Sequence, residues 1–204
     1  MYVPRFNAMD DPDEIRDLVR AIGSAELVTV GLDGFPSATL LPVIWDGERL
    51  VFHMARANPH WTTIQAGTPA LAIVTGPQAY ISPSWYRSKA EHGRVVPTWN
   101  YSAVHFTGRV KTHHDSGWLL DAVTQLTDLH ERHRERPWSV ADAPETYIEK
   151  QLRAIVGIEM AIDKVEGKAK LSQNRSEEDR SGVIEGLRHE GGSREHELSR
   201  SMDV

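Results

Sequence analysis

The sequence predicts a mainly β fold with flanking helices, in which about six antiparallel strands close or partly close into a small barrel. Three observations lead there. Residues 26–31, 36–45 and 49–55 are β-rich runs joined through Asp33-Gly34 and Asp46-Gly47, and Asp-Gly between such runs is a strong hairpin signal. Helical periodicity is confined to a few stretches between the strands. Closure removes exposed strand edges, which sets a barrel ahead of the competing all-β sandwich.

In order, the first element is a helix. Asp11 caps it, Pro12 takes the first position and Glu14 is placed for a capping box. Ile15, Leu18, Val19 and Ile22 recur at helical spacing until Gly23 ends the run. The three hairpin-linked runs follow. Residues 51–63 (VFHMARANPHWTT) then read as a strand that runs into a helix over 59–66, with Asn58 as cap, Pro59 at the first position and Gly67 as stop. Residues 70–75 and 78–82 form a fourth and a fifth strand, separated by Gly76-Pro77. Residues 83–97 read as a loop and 98–112 as a long sixth strand. A helix follows Asp115, with Leu119, Ala122, Val123, Leu126 and Leu129 on one face. Another runs over 144–152, and a last strand over 154–165, where Val156, Ile158, Met160 and Ile162 alternate. The expected organisation is a barrel domain with flanking helices over 1–166. A basic segment with a short helix capped by Ser176 covers 167–187, and a disordered tail covers 188–204.

Composition limits the function. The 204 residues suffice for one domain with a real core. Apolar content is 40% and no apolar run is long enough to cross a bilayer. The first residues lack the apolar stretch of a secretory signal, and cysteine is absent, so disulfides and thiolate metal sites are excluded. A cytoplasmic location is the simplest fit. The net charge of -6 argues against a general nucleic-acid surface. Six Trp residues are many for this length, and Trp favours interfaces and flat ligands.

Four stretches could carry chemistry. A strand that ends at a helix N-terminus offers an anion unpaired N–H groups and the positive end of a dipole. Residues 51–63 have that form, with Arg56 and His60 on either side of the turn, and Arg can grip a phosphate through two parallel hydrogen bonds. The same residues also make an ordinary capped junction with a surface Arg. Residues 79–86 (AYISPSWY) and 96–101 (VPTWNY) put rings and an Asn amide where a flat heteroaromatic ligand could lie, or where strands simply pack. Residues 168–175 (KAKLSQNR) could close over an anion or serve as a solvated linker. His113-His114-Asp115 falls on a loop and helix cap, and His130-x-x-His133 falls on a charged helix end, so no metal site is expected. Neither a Gly-rich phosphate loop nor Gly-x-Ser-x-Gly is present. No catalytic residue is assigned; His53 and His105 are candidate acids or bases by type only.

Several of these words recur in a fixed order through most of the chain: Met1-Tyr2-Val3-Pro4, Arg56-Ala57-Asn58-Pro59 with Trp61, residues 79–86, residues 96–101 with Val104-His105, and residues 170–175. Together they resemble the PaiB-like FMN-binding negative transcriptional regulators of the FMN-binding split-barrel superfamily. The resemblance implies a six-stranded antiparallel split β-barrel of the FMN-binding type, working as a homodimer with FMN at the dimer interface. It implies that basic and hydroxyl residues near the strand–helix turn hold the FMN phosphate, which puts Arg56 and Asn58 forward. It lays the flavin ring along residues 39–42, with Trp99 and Asn100 reaching it from the partner subunit. The candidate cofactor-binding set is then Thr39, Leu40, Leu41, Pro42, His53, Met54, Arg56, Asn58, Trp61, Thr98, Trp99, Asn100, Lys170 and Gln173. The chain departs from the family where Leu40 replaces the His of an Ala-Thr-His-Leu-Pro word, which bears on a polar contact to the cofactor. The implied function is transcriptional regulation, with DNA as a candidate partner despite the acidic balance and the lack of a recognisable helix-turn-helix. The alternatives are a flavin oxidoreductase using FMN and NAD(P)H, and a cofactor-free split-barrel binding module.

Overall fold

The computed structural model describes residues 1–203. In chain order its elements are β1 (Ala8–Met9), α1 (Pro12–Ile22), β2 (Ser24–Val30), β3 (Pro36–Pro42), β4 (Ile44–Trp45), β5 (Arg49–Ala55), β6 (Thr68–Ile81), α2 (Ser88–His92), β7 (Thr98–His113), α3 (Ser116–Glu131), α4 (Glu145–Arg153), β8 (Ile155–Lys170), α5 (Glu177–Glu190) and α6 (Ser193–Met202). The chain divides into two compact units, and β6, β7 and β8 each contribute to both.

One unit comprises Val19–Val74 and His105–Val165. Its strands are hydrogen-bonded in the order β3-β2-β6-β7-β8-β5-β4. The pairs β2–β3, β2–β6 and β5–β8 are antiparallel: Leu27 faces Thr39, Glu26 faces Ile73, and Phe52 faces Ile158. The Asp-Gly turns form as expected. Asp33 Oδ1 accepts from the Phe35 N–H, and Asp46 Oδ1 accepts from those of Glu48 and Arg49. Leu27, Leu50, Phe52, Phe106, Ile158 and Met160 are fully buried, each worth about 1.5–3 kcal/mol relative to exposure. Asp115 caps α3 by accepting from the Trp118 N–H, and the helix buries Leu119, Ala122 and Leu126. The buried carboxylate of Glu159 receives Lys111 Nζ at 2.9 Å and Arg49 Nη1 at 3.0 Å. Burial pushes its pKa up, but the two cations outweigh burial and hold it below the usual carboxylate range.

The other unit gathers Met1–Leu18, Thr75–Val104 and Glu166–Val204. Here β1 pairs with the end of β8, Ala8 facing Lys168. Asp179 on α5 accepts from both the N–H and the hydroxyl of Ser88, which ties α2 to α5. A 3₁₀ turn over Pro83–Trp85 lies against α5 at Gly186, where a Cβ would fall 2.3 Å from the Trp85 ring. Only glycine permits that approach. Val183, Leu187, Leu198 and Met202 are fully buried and form the helical side of this unit's core.

Several expectations need correction. Of the tail expected to be disordered over 188–204, the described residues 188–203 are largely helical. α5 runs on to Glu190, α6 follows to Met202, and Val204 alone lies outside the described residues. The average polarity of the segment hides a sparse apolar stripe, because Leu198 and Met202 are four residues apart and share one helical face. The barrel domain drawn over 1–166 is instead divided between two units. Gly76-Pro77 does not break the chain into two strands; β6 is continuous. A Cβ at Gly76 would come within 2.9 Å of Leu18 and 3.1 Å of Ser102, so glycine is needed there for close packing rather than for a turn. The helix expected over 59–66 is a 3₁₀ turn over Pro59–Thr63, and the loop over 83–97 contains the Pro83–Trp85 turn and α2. The final strand continues to Lys170, so the basic segment begins as sheet.

Leu198→Ala therefore lowers stability by about 2–5 kcal/mol, the usual cost of emptying a core position. Urea unfolding checks this. An unchanged midpoint would restore the reading of the C-terminal segment as a tail without packing.

Candidate functional site

The turn after β5 is built around a buried histidine. Asn58 caps the 3₁₀ turn, its Oδ1 accepting from the His60 N–H at 3.0 Å, and Pro59 pre-sets the first position. His60 thereby points inward and is 5% exposed. Its Nε2 lies 2.9 Å from Thr29 Oγ1 on β2, and its Nδ1 lies 2.8 Å from Thr39 Oγ1 on β3. Asn58 Nδ2 also donates to Thr39 Oγ1 at 3.3 Å. A neutral imidazole has one donor and one acceptor, and two hydroxyls satisfy either tautomer. Burial pushes the pKa of His60 down, and so favours that neutral form.

Arg56 leaves this turn on the exposed side. Its Nε donates to the Arg153 carbonyl and its Nη2 to the Ile155 carbonyl, both at 2.9 Å. Its guanidinium also lies 5.9 Å from the ring of Trp61, whose Nε1 donates back to the Arg56 carbonyl. Arg56, Arg153, His114, Ser116 and Glu149 line a cavity of about 530 Å³ in this unit. On β5, Met54 is core, and His53 is half-buried with Nδ1 buried and without a partner. Burial lowers the pKa of His53 as well. On β3, Leu41 is a core residue while Leu40 is 65% exposed, an alternation set by the strand period.

The remaining candidates lie in the other unit. Thr98, Asn100 and Lys170 line a second cavity, of about 410 Å³, together with Tyr101, Lys168 and Arg175. Trp99 is exposed and donates from Nε1 to Gln78. Gln173 is spent on a turn: its Oε1 accepts from the Leu171 N–H, and its Nε2 donates to the Ala169 carbonyl. That turn puts Ser172 at φ 64°, a left-handed conformation costing roughly 1–2 kcal/mol, with its hydroxyl accepting from Asn100 Nδ2 at 2.9 Å.

The expected set thus divides in two. Thr39, Asn58, Arg56 and Trp61 are joined through the His60 turn, and Thr98, Asn100 and Lys170 meet in one cavity. Among the described residues, no group of three or more His, Cys, Asp or Glu side chains is placed to hold a metal ion. Sequence reasoning missed Thr29, which holds His60 across 31 residues of chain. No short motif signals such a pairing. The inward-facing period of β2, where Ala25, Leu27 and Thr29 alternate with exposed or half-buried residues, marks Thr29 as a polar side chain in need of a partner.

The pH dependence follows from sign. The unfolded chain binds a proton to histidine at about pH 6.5, whereas His53 and His60 in the folded chain do so only at lower pH. Stability is therefore fully present above that value and falls as pH drops through it. His60→Gln flattens part of this decline in urea unfolding measured from pH 8 to pH 5. A slope equal to that of the unaltered protein would remove His60 from the linkage.

Residues 1–164 match the family model described as "Putative FMN-binding domain". The chain is 32% identical over 207 residues to the protease synthase and sporulation protein PAI 2 of Bacillus subtilis, covering 100% of this chain and 97% of the relative. Among solved structures, it is similar to the FAD and heme binding protein from Mycobacterium smegmatis, with TM-score 0.60 and 21% identity over 86% of this chain and 79% of that one. It is likewise similar to the flavocytochrome Anf3 from Azotobacter vinelandii, with TM-score 0.59 and 16% identity over 88% of this chain and 78% of that one. At such identities the structural likeness speaks for the fold, which is the mainly antiparallel, helix-flanked split-barrel type expected from the sequence. With its family match spanning residues 1–164 and a relative aligned from end to end, the chain belongs to the PaiB-like FMN-binding family.

Proposed function

We propose that this protein is a flavin-dependent transcriptional regulator, a homodimer that carries FMN at the β3 edge and the His60 turn. The observation that carries the reading is the end-to-end relationship to the protease synthase and sporulation protein PAI 2. The family supplies the cofactor, FMN. The residues at the turn fit it. His53 Nδ1 is a buried polar atom without a partner, and Arg56 is an exposed cation pinned by two carbonyls beside a cavity that Arg153 also lines. In this reading Arg56 and Asn58 hold the phosphate end, and residues 39–42 with His53 and Trp61 flank the ring. When bound, FMN supplies redox chemistry, and the protein binds, orients and tunes it.

The edge strand supports the dimer. Leu40 is 65% exposed, and Val30, Leu32 and Phe35 at the same hairpin are 58%, 92% and 72% exposed. An apolar edge of this kind pairs or is covered in a stable protein. DNA is the candidate partner of the regulator, approached through a local surface rather than through net charge, which is -6. A cytoplasmic location is part of the same proposal. Among the described residues, no helix is long and apolar enough to cross a membrane.

The test is the visible spectrum of the purified chain after free flavin is removed, with FMN titrated back. About one FMN per subunit is retained, and Arg56→Ala weakens binding by roughly tenfold or more, the scale of a charge-assisted hydrogen bond. Full retention by the variant would take Arg56 out of the site. In size-exclusion chromatography, Leu40→Glu shifts the dimer to monomer; a dimer that persists would move the interface away from β3.

A further inference from the structure

We propose that the cavity of about 410 Å³ lined by Lys168, Lys170 and Arg175 binds a small organic anion: a flat or apolar body carrying a carboxylate or phosphate and an N–H or O–H donor. Thr98, Asn100 and Lys170 of this cavity also stand in the candidate cofactor set, so the test below separates the two occupants. Every residue of this cavity lies in the unit of Met1–Leu18, Thr75–Val104 and Glu166–Val204, whereas Arg56 and residues 39–42 belong to the other.

Charge is the first argument. The chain carries a net -6, yet this cavity is lined by three cations and no carboxylate. Lys168 is 7% exposed. Its Nζ donates to the Tyr2 carbonyl at 3.0 Å and lies 5.1 Å from the centre of the Tyr101 ring. A carbonyl and a ring face only partly replace the water that an ammonium loses on burial, and an oxyanion completes the set. Lys170 is held in advance, its Nζ donating to Thr98 Oγ1 and to the Trp99 carbonyl. Arg175 sits over Tyr86, its guanidinium carbon 4.7 Å from the ring centre.

The second argument is an unpaired acceptor. Asn100 is fully buried, its Nδ2 is used on Ser172, and its Oδ1 has no partner. A buried amide oxygen left alone keeps the cost of its lost water, so a donor belongs there. Asn100 is one of the residues that line the cavity, which makes its amide oxygen the acceptor assigned to a ligand N–H or O–H. The third argument is the wall: Phe6 and Tyr101 line the same space and give an apolar body its contact area. Cations for one end, an acceptor for a donor and rings for the body define the ligand class.

The test is calorimetric titration of the FMN-saturated full chain with 4-hydroxybenzoate, with 4-hydroxyphenyl phosphate, and with the neutral isostere 4-hydroxybenzamide. At least one anion binds saturably and about tenfold or more tighter than the amide, and the stronger arm tells carboxylate from phosphate. Lys168→Met and Arg175→Gln each weaken that anion by about tenfold while flavin retention stays unchanged. Should Lys168→Met fail to fold, Arg175→Gln decides alone. Anions that bind no better than the amide, or variants that bind them like the unaltered chain, overturn the proposal. Release of FMN by either anion also overturns it, assigning the cavity to the flavin. If no flavin is retained, the same titration of the free chain decides, so failure of one reading is distinguishable from failure of the other.

Discussion

A buried imidazole with both nitrogens satisfied is the constraint on which the candidate site depends. His60 can stay neutral and inside only because hydroxyls on two neighbouring strands, Thr29 on β2 and Thr39 on β3, meet its two ring nitrogens. The turn, the edge strand and its neighbour are thereby fixed to one another by a single side chain. Asn58 reinforces the arrangement, capping the turn with its oxygen and reaching Thr39 with its nitrogen. Arg56, two residues earlier, inherits its position from this turn. A more polar or looser residue in place of His60 would leave the start of the site without a fixed direction.

Much of the fold was legible in the sequence. The Asp-Gly turns, the Asp11 and Asp115 caps and the alternating run that opens β8 each act locally, so a short window contains the whole signal. What was not legible depends on partners far away in sequence. Gly76 reads as punctuation until the side chains of Leu18 and Ser102 are seen pressing against it. Leu198 and Met202 read as strays in a polar tail until α5 offers them a surface. The same division holds at the site. Arg56, Asn58 and Trp61 stand together in one word of sequence and stand together in space, whereas Thr29 joins them only through the pairing of strands. Gln173 shows the converse, since its amide suggests a ligand contact and in fact closes its own turn.

Electrostatics divides the structure more sharply than composition does. Glu159 is an acid made comfortable inside by Lys111 and Arg49, and it needs nothing from solution. The two lysines at the end of β8, Lys168 and Lys170, have carbonyls, a hydroxyl and rings for neighbours instead, and so remain able to attract a further charge. An acidic average for the whole chain conceals both situations.

The two units also differ in how far apart their pieces lie along the chain. One unit draws on the first 18 residues, a middle segment and everything from Glu166 onward, so Leu198 and Met202 join a core begun nearly two hundred positions earlier. A ribosome releases the chain from its N-terminal end, and long-range contacts wait for both partners. During synthesis the first residues and the 75–104 strands of this unit must therefore pass a long interval without their helical cover, their apolar faces open to chaperones or to other nascent chains. The unit containing β2 to β5 can close before α5 and α6 have emerged. C-terminal helices that look dispensable in composition are then pieces that this surface waits for before it is hidden.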